Sequence, residues 1–330
     1  MIQRTHQHPR VSVIIPVYNG ASYINESLQS VFHQTYSDYE IIVADDRSTD
    51  NLLELLKPYE GRITILSFQH RGVSATRNEA IRRSHGEFIA LLDADDIWVS
   101  DKLEAQIEYL DDHPEYGLVY AYSTNFTGKG DGDIALVKKI DFEGYIFKDI
   151  FTKACFYTGT IVMRRYVFDD IGGYDETLAA MEDYELNLRI SQKYQIGRVP
   201  KSLLYRRIHP DSFYSSGYDN QYIYQLPVYD KLMTSPEVES EIGMSREDYM
   251  SGFILKFIFK NLFDNRREFI DQKLRDLESY SSEMAVAARK LVIQHAGDLD
   301  IWRPLIRDFD TWYADVKYKA ILFNSREGKR

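Results

Sequence analysis

The sequence predicts an α/β fold: a doubly wound, mainly parallel sheet followed by a mostly helical C-terminal region. Three observations predict it. Short apolar runs alternate with stretches of helical spacing over roughly the first hundred residues. Three of those runs end in polar or acidic clusters. After about Tyr222 the strand-like runs stop and amphipathic helical pieces take over.

Taken in order, Val11–Val17 (VSVIIPV) is a continuous apolar run, as suits a strand buried on both faces. The segment 22–34 carries Ile24, Leu28, Val31 and Phe32 at helical spacing. Residues 39–44 (YEIIVA) read as a second buried strand. Asp46, Ser48 and Thr49 then form a capping-rich turn into a helix near 50–57. A third strand is expected at 62–68, a helix at 73–83, a fourth strand at 87–92 (EFIALL) and a helix at 100–110. Four successive β–α units call for a parallel sheet. The middle is less regular: a turn at 127–133 (TGKGDGD), a strand at 159–163, a short helix at 164–171 broken by Gly172-Gly173, a helix at 181–194 and a strand at 203–208. The C-terminal region has amphipathic pieces at 249–262 and 281–295. The expected division is 1–222 for the α/β domain and 223–330 for a helical region of unknown role.

Composition narrows the function. Hydrophobic residues make up 44% and charged residues 28% of 330, which is globular rather than disordered. The balance of 40 basic against 51 acidic residues lacks the basic footprint of a nucleic-acid binder. It still permits a phosphorylated ligand bound through a metal. A single cysteine, Cys155, allows no intrachain disulfide and fits a reducing compartment. The polar N-terminus lacks a signal-peptide core, and no run approaches the ~18 apolar residues of a membrane span. The expectation is a cytoplasmic protein, with the inner face of the membrane left open. The apolar stripe of Phe253, Phe257, Ile258 and Leu262, with Lys256 and Lys260 nearby, reads as packing against the α/β domain or a second subunit in preference to a membrane-surface helix. A homo-oligomer stays open.

Ligands of open α/β sheets bind beyond the carboxyl ends of the strands. Three clusters fall there: Pro16-Val17-Tyr18-Asn19, Asp45-Asp46-Arg47-Ser48 and Asp93-Ala94-Asp95-Asp96. Asp93 and Asp95, one residue apart on an extended segment, point to one side and suit Mg²⁺ or Mn²⁺, which prefer oxygen ligands. A metal with few protein ligands keeps positions for phosphate oxygens. The competing reading is a helix cap at Asp95 or Asp96. Asp46 fits either an acceptor for a pyrimidine imide N–H or an N-cap. Tyr18 and Asn19 fit either the wall of a base pocket or a turn closing the first strand. Glu182-Asp183 stands at an expected helix start, where the dipole favours an ionised carboxylate. That is what a general base needs, and also what an ordinary acidic first turn looks like. His209 fits a third metal ligand and Arg206 or Arg207 a phosphate partner; the alternative is a solvated loop.

In family order, VSVIIPVYNGASYINESLQSVFHQT, YEIIVADDRSTD, GVSATRNEAIRRSHGEFIALLDADD, MEDYELNLRI and YRRIHPDSF resemble the motifs of the family 2 glycosyltransferases. The resemblance covers about 11–216. It implies a GT-A-type fold, with nucleotide-sugar binding at about 10–125 and an acceptor and base part at about 140–216. It implies that Pro16, Tyr18 and Asp46 contact the nucleotide, with Asn19 and Ala94 in the same clusters. Arg77 matches a position near the diphosphate. Asp93 and Asp95 match a metal-binding DxD, with Asp95 the direct ligand. Asp183 matches the catalytic base, and His209 a position that binds metal or phosphate in some members. Arg47 departs from the Asn that is common there, which bears on base recognition.

The expected function is transfer of a single sugar, with inversion, from a nucleotide-diphosphate sugar (by family frequency a UDP-sugar) to a glycan or lipid-linked glycan acceptor in polysaccharide or glycan biosynthesis. The Gln-x-x-Arg-Trp signature of processive synthases is missing, which favours one sugar per encounter. The alternative is a non-catalytic nucleotide-sugar-binding scaffold. A dinucleotide oxidoreductase would show G-x-G-x-x-G after the first strand, where this chain has Pro16-Val17-Tyr18-Asn19-Gly20. A nucleotidyltransferase would want a glycine- and base-rich first loop there.

Overall fold

The computed structural model describes residues 8–127, 134–135, 139–153, 155–209, 218–264 and 266–294. The chain divides into two compact units, Met1–Ser212 and Phe213–Arg330. Residues 128–133 of the expected turn, Pro210-Asp211 after His209, and His295 lie outside the described residues.

In the first unit, strands β1 (Val11–Val17), β2 (Tyr39–Asp45), β3 (Thr64–Ser67) and β4 (Phe88–Leu91) alternate with helices α1 (Ile24–Phe32), α2 (Leu52–Leu56) and α3 (Val73–Arg82). Then follow β5 (Ile97–Trp98), α4 (Lys102–Asp112), β6 (Tyr116–Thr127), β7 (Ile134–Ala135) and α5 (Phe147–Thr152). A 3₁₀ turn at Thr158–Thr160 leads into β8 (Val162–Arg164), α6 (Arg165–Ile171), α7 (Glu182–Lys193) and β9 (Gln195–Ile208). The described strands form one nine-stranded sheet in the order β3-β2-β1-β4-β8-β6-β9-β5, with β7 on β6. The β3-β2-β1-β4 half is parallel, as the β–α alternation predicts. The other half is mixed: β8 runs antiparallel to β4 and β6, β5 antiparallel to β9, and β6 parallel to β9.

All seven residues of β1 are buried. Its one polar side chain, Ser12, is satisfied inside: Oγ donates to Glu40 (2.7 Å) and accepts from the Gly86 amide (2.8 Å). Helix α1 buries Ile24, Leu28 and Val31 against the sheet, the face its spacing marks out. Register then sets the site. Pro16 lies opposite Ala44, Val17 opposite Asp45, and Ile14 opposite Leu91. The pairing continues one step further, with the Asp46 amide donating to Val17 (2.9 Å) and the Leu92 amide to Ile14 (3.0 Å). The residues after β1, β2 and β4 therefore leave the sheet along one rim.

Strand β6 has no counterpart among the expected elements, and β9 is longer than expected. The continuous apolar start of β6 is buried on both faces before the strand turns half-exposed, so it shows no clean period. Strand β9 carries exposed Pro200 and Lys201 where its register against β6 slips between Val199 and Ser202. That polar interruption masks its first half.

The second unit contains α8 (Tyr218–Leu232), α9 (Pro236–Ile242), α10 (Arg246–Phe263), α11 (Ile270–Tyr280) and α12 (Ser282–Gln294). Phe253, Phe257, Ile258 and Leu262 are buried within it, and the Tyr222 ring of α8 lies 6.0 Å from Phe253 and 5.1 Å from Phe257. The stripe is packing inside this unit. Among the described residues no helix is long and apolar enough to cross a membrane.

Gly86 permits the contact between the α3–β4 connection and β1. A Cβ there would stand 2.5 Å from the Ser12 amide nitrogen and 2.7 Å from the Val11 carbonyl carbon, both backbone. Gly86→Ala is expected to lower the unfolding free energy by about 2 kcal/mol or more. Urea unfolding monitored by far-UV circular dichroism checks this, and an unchanged midpoint would contradict the packing.

Candidate active site

The loops after β1 and β2 are stitched together by side chains. Asn19 takes a left-handed backbone (φ 53°), a conformation that suits asparagine. Its Oδ1 accepts from the Thr49 amide (2.8 Å), and its own amide donates to Ser48 Oγ (2.9 Å). Asp45 accepts from the Ser48 amide (2.8 Å) and Asp50 from the Ala21 amide (2.9 Å). Asp46 does not cap α2, whose N-cap position is Asn51. It is buried, and its two oxygens accept from the amides of Arg71 (2.8 Å) and Gly72 (3.0 Å) at the entrance to α3. His70 Nδ1 lies 3.1 Å from the same carboxylate, and its ring sits 4.5 Å from the exposed ring of Tyr18.

Beyond β4 the chain turns sharply, with the Asp96 amide donating to Asp93 (3.1 Å). Ser27 of α1 holds this turn by donating to the carbonyls of Ala94 (2.8 Å) and Asp96 (2.7 Å). Asp96 is buried and accepts from the Arg207 amide (2.9 Å). Burial, reinforced by Asp95 and Asp93, pushes its carboxyl well above the usual carboxylate range. Asp96 therefore anchors the turn. Asp95 Oδ2 lies 3.0 Å from His209 Nε2, just past β9, and the His209 ring faces Tyr23 at 5.4 Å. The buried Arg207 ties the same corner together through the Asp95 carbonyl (2.8 Å) and Glu26 (2.9 Å). Arg206 lies 4.4 Å over the Tyr157 ring.

Pro16, Tyr18, Asn19, Asp46, Asp93, Ala94, Asp95 and His209 line one cavity of about 560 Å³. They come from four separate stretches of the sequence. Tyr23, Val73 and Thr76 line it as well and were not singled out by sequence reasoning. The signal for Val73 and Thr76 lay in their position at the N-terminus of a helix expected beside the rim. Two carboxylates and an imidazole make an oxygen- and nitrogen-donor set that suits Mn²⁺ or Mg²⁺. Among the described residues no group of three or more His, Cys, Asp or Glu side chains is placed to hold a metal ion. A cation bound here would take most of its ligands from the nucleotide and solvent.

Two predicted residues stand apart from that lining. Arg77 of α3 is buried, and its guanidinium forks, with Nη2 donating to Asp93 (2.7 Å) and Nη1 to Glu182 (2.6 Å). Burial opposes its charge, but Asp93, Tyr174 and Glu182 hold its pKa above the usual value. Asp183 follows Glu182 in the first turn of α7. It accepts from Thr158 Oγ1 (3.0 Å) and from the Tyr184 amide (2.7 Å). Burial, with Glu182 alongside, pushes its pKa up to about 6, against the opposing pull of Arg77 and the two hydrogen bonds. Thr158 is a hydrogen-bond partner of Asp183 that the sequence did not flag, because it reaches that carboxylate only through the 3₁₀ turn before β8.

Comparison with known proteins agrees with the fold and the motifs. The pattern of glycosyl transferase family 2 matches residues 12–172. The putative glycosyltransferase EpsE of Bacillus subtilis is 30% identical over 213 residues, covering 62% of this chain and 75% of that protein. Three larger uncharacterised glycosyltransferases of Rickettsia are 29–31% identical over 211–215 residues, and the chain spans only 31–34% of their length. Staphylococcus aureus TarS 1–349 in complex with UDP superposes with a TM-score of 0.60 at 20% identity, over 92% of this chain and 91% of that one. The mannosyltransferase PcManGT of Pyrobaculum calidifontis, in complex with GDP-Man and Mn²⁺, gives 0.57 at 18% identity, over 96% and 88%. At such identities the two structures speak for the fold alone.

The raised pKa of Asp183 has a consequence for stability. The native state holds this proton more tightly than the unfolded chain, where the ordinary value is near 3.8. With respect to this group, stability is highest below pH 4, falls as the pH rises to about 6, and stays reduced above. Asp183→Asn is therefore expected to gain on the order of 3 kcal/mol over the parent at pH 7.5, and to lose most of that advantage by pH 4.5. Paired urea titrations at the two pH values check it; equal differences at both would contradict the raised pKa of this half-buried carboxyl.

Proposed function

This chain belongs to glycosyl transferase family 2, and from that footing we propose that it moves a single sugar, with inversion, from a UDP-sugar to an acceptor hydroxyl. The observation that carries the reading is the shared cavity. Tyr18 and Asp46 line the same cavity as Asp93, Asp95 and His209. UDP in the structurally similar TarS and Mn²⁺ in PcManGT are compatible with it.

Each residue has a defined task in this reading. An ionised carboxylate offers about four lone-pair sites. Asp46 uses one on each oxygen for the Arg71 and Gly72 amides, which leaves acceptor capacity for the imide N–H of uracil. Tyr18 supplies an aromatic face for the base. Asp95, Asp93 and His209 would hold the divalent cation, which when bound supplies positive charge against the departing diphosphate. Asp183 takes the proton from the acceptor hydroxyl. The hydroxyl oxygen forms its bond to the anomeric carbon as the bond to the diphosphate oxygen breaks on the opposite face. One displacement inverts the centre. The acceptor class is a glycan or lipid-linked glycan, and the setting is polysaccharide or glycan assembly.

The test is turnover and donor binding in the same variant. Asp183→Asn is expected to lower transfer or donor hydrolysis by on the order of 10²–10⁴ while UDP binding stays near the parent's. In the parent, the rate is expected to fall tenfold per pH unit below about 6, because only the ionised carboxylate accepts a proton. Wild-type turnover in Asp183→Asn would refute the base assignment. Tight UDP-sugar binding with no turnover in the parent would favour the non-catalytic scaffold.

A further inference from the structure

Arg77 connects the two parts of the site that the cavity alone does not join. Its Nη2 is on Asp93 and its Nη1 on Glu182, and both contacts are short and shielded, with 5% of the arginine side chain exposed. Both η nitrogens of the guanidinium are thus engaged by carboxylates. On the other side, α7 begins without the usual device. Its N-cap residue, Met181, has a left-handed backbone (φ 64°) and contributes no side-chain capping bond. Three acids, Glu182, Asp183 and Glu185, crowd the first turn. Glu185 pairs with Arg189 (2.6 Å), and Glu182 pairs with Arg77. The segment before α7 is also clamped from α3: Asn78 Nδ2 donates to the Tyr174 carbonyl (2.9 Å), and Asn78 Oδ1 accepts from the Tyr174 amide (2.8 Å).

We propose that Arg77 is a positioning residue for Asp183: its guanidinium, fixed by Asp93, holds Glu182 and with it the first turn of the helix on which the base stands. The inference rests on the reading of Asp183 as the base. It gives Arg77 a framework role at the edge of the cavity, through Asp93. A lysine presents one point charge and cannot span both carboxylates as the fork does. The groups that bear on Asp183 include Glu182, Arg77, Thr158, the Tyr184 amide, Tyr174 and Cys155. Glu182 and Arg77 act on it with opposite sign, so removing each moves the base in opposite directions.

The experiment reads the Asp183 carboxyl directly by ¹³C NMR titration of aspartate-labelled protein, assigned through Asp183→Asn. Arg77→Met is expected to raise its midpoint by on the order of one pH unit, and Glu182→Gln to lower it. Arg77→Lys should fall between Arg77→Met and the parent. Glu182→Gln is nearly isosteric and keeps the test available if Arg77→Met does not fold. Midpoints unmoved in Glu182→Gln and in a folded Arg77 variant would overturn the inference and leave the base assignment intact. Conversely, wild-type turnover in Asp183→Asn would remove the base assignment while the titration still reported the Arg77–Glu182 contact.

Discussion

The parallel register of β1 with β2 and β4 is the constraint on which the rest of the site depends. Because Val17 faces Asp45 and Ile14 faces Leu91, β1 and β2 end level and β4 ends three residues short of them, at the same edge of the sheet. Tyr18, Asp46 and Asp93 then emerge side by side although they lie far apart in sequence. A slip of one residue in any of these pairings would exchange the two faces of a strand. Both faces of β1 are buried, and the hydrogen bonds of Ser12 with Glu40 and the Gly86 amide hold only in the observed register. The apolar core thus acts on the site by fixing where polar residues can leave the sheet.

The rim gathers more negative charge than the sheet end could tolerate unaided. Asp46, Asp93, Asp95, Asp96 and Glu182 all sit at or near it, and each is handled differently. Asp46 is met by backbone amides, Asp93 and Glu182 share one guanidinium, and Asp96 is buried with a raised pKa. Asp95 has only the imidazole of His209 and the Arg207 contact to its carbonyl among the described hydrogen bonds. Unlike Asp93, which is already held by Arg77, Asp95 meets only an imidazole at the cavity wall, which leaves it placed to take a further positive charge.

Much of this was legible in the sequence where one signal dominated. The strands β1, β2 and β4 and helices α1 and α3 follow from apolar runs and helical spacing, and the rim residues from their place just beyond those runs. What depended on tertiary contact was not legible. Nothing local distinguishes Asp46 from a helix cap; the loop carrying Arg71 and Gly72 had to be seen against it. Nor does local sequence say that Arg77 reaches Glu182, more than a hundred residues away, or that Thr158 reaches Asp183. Strand β6 escaped because its burial changes from two-sided to one-sided midway, and the start of β9 because Pro200 and Lys201 interrupt it.

The central claim is that the rim cavity is a metal-assisted nucleotide site, and calorimetric titration of UDP with and without Mn²⁺, on the parent and on Asp95→Ala, tests it most directly. The account predicts UDP binding that strengthens markedly with Mn²⁺ in the parent and loses that dependence in Asp95→Ala. UDP affinity indifferent to Mn²⁺, or a metal response that survives in Asp95→Ala, would contradict it.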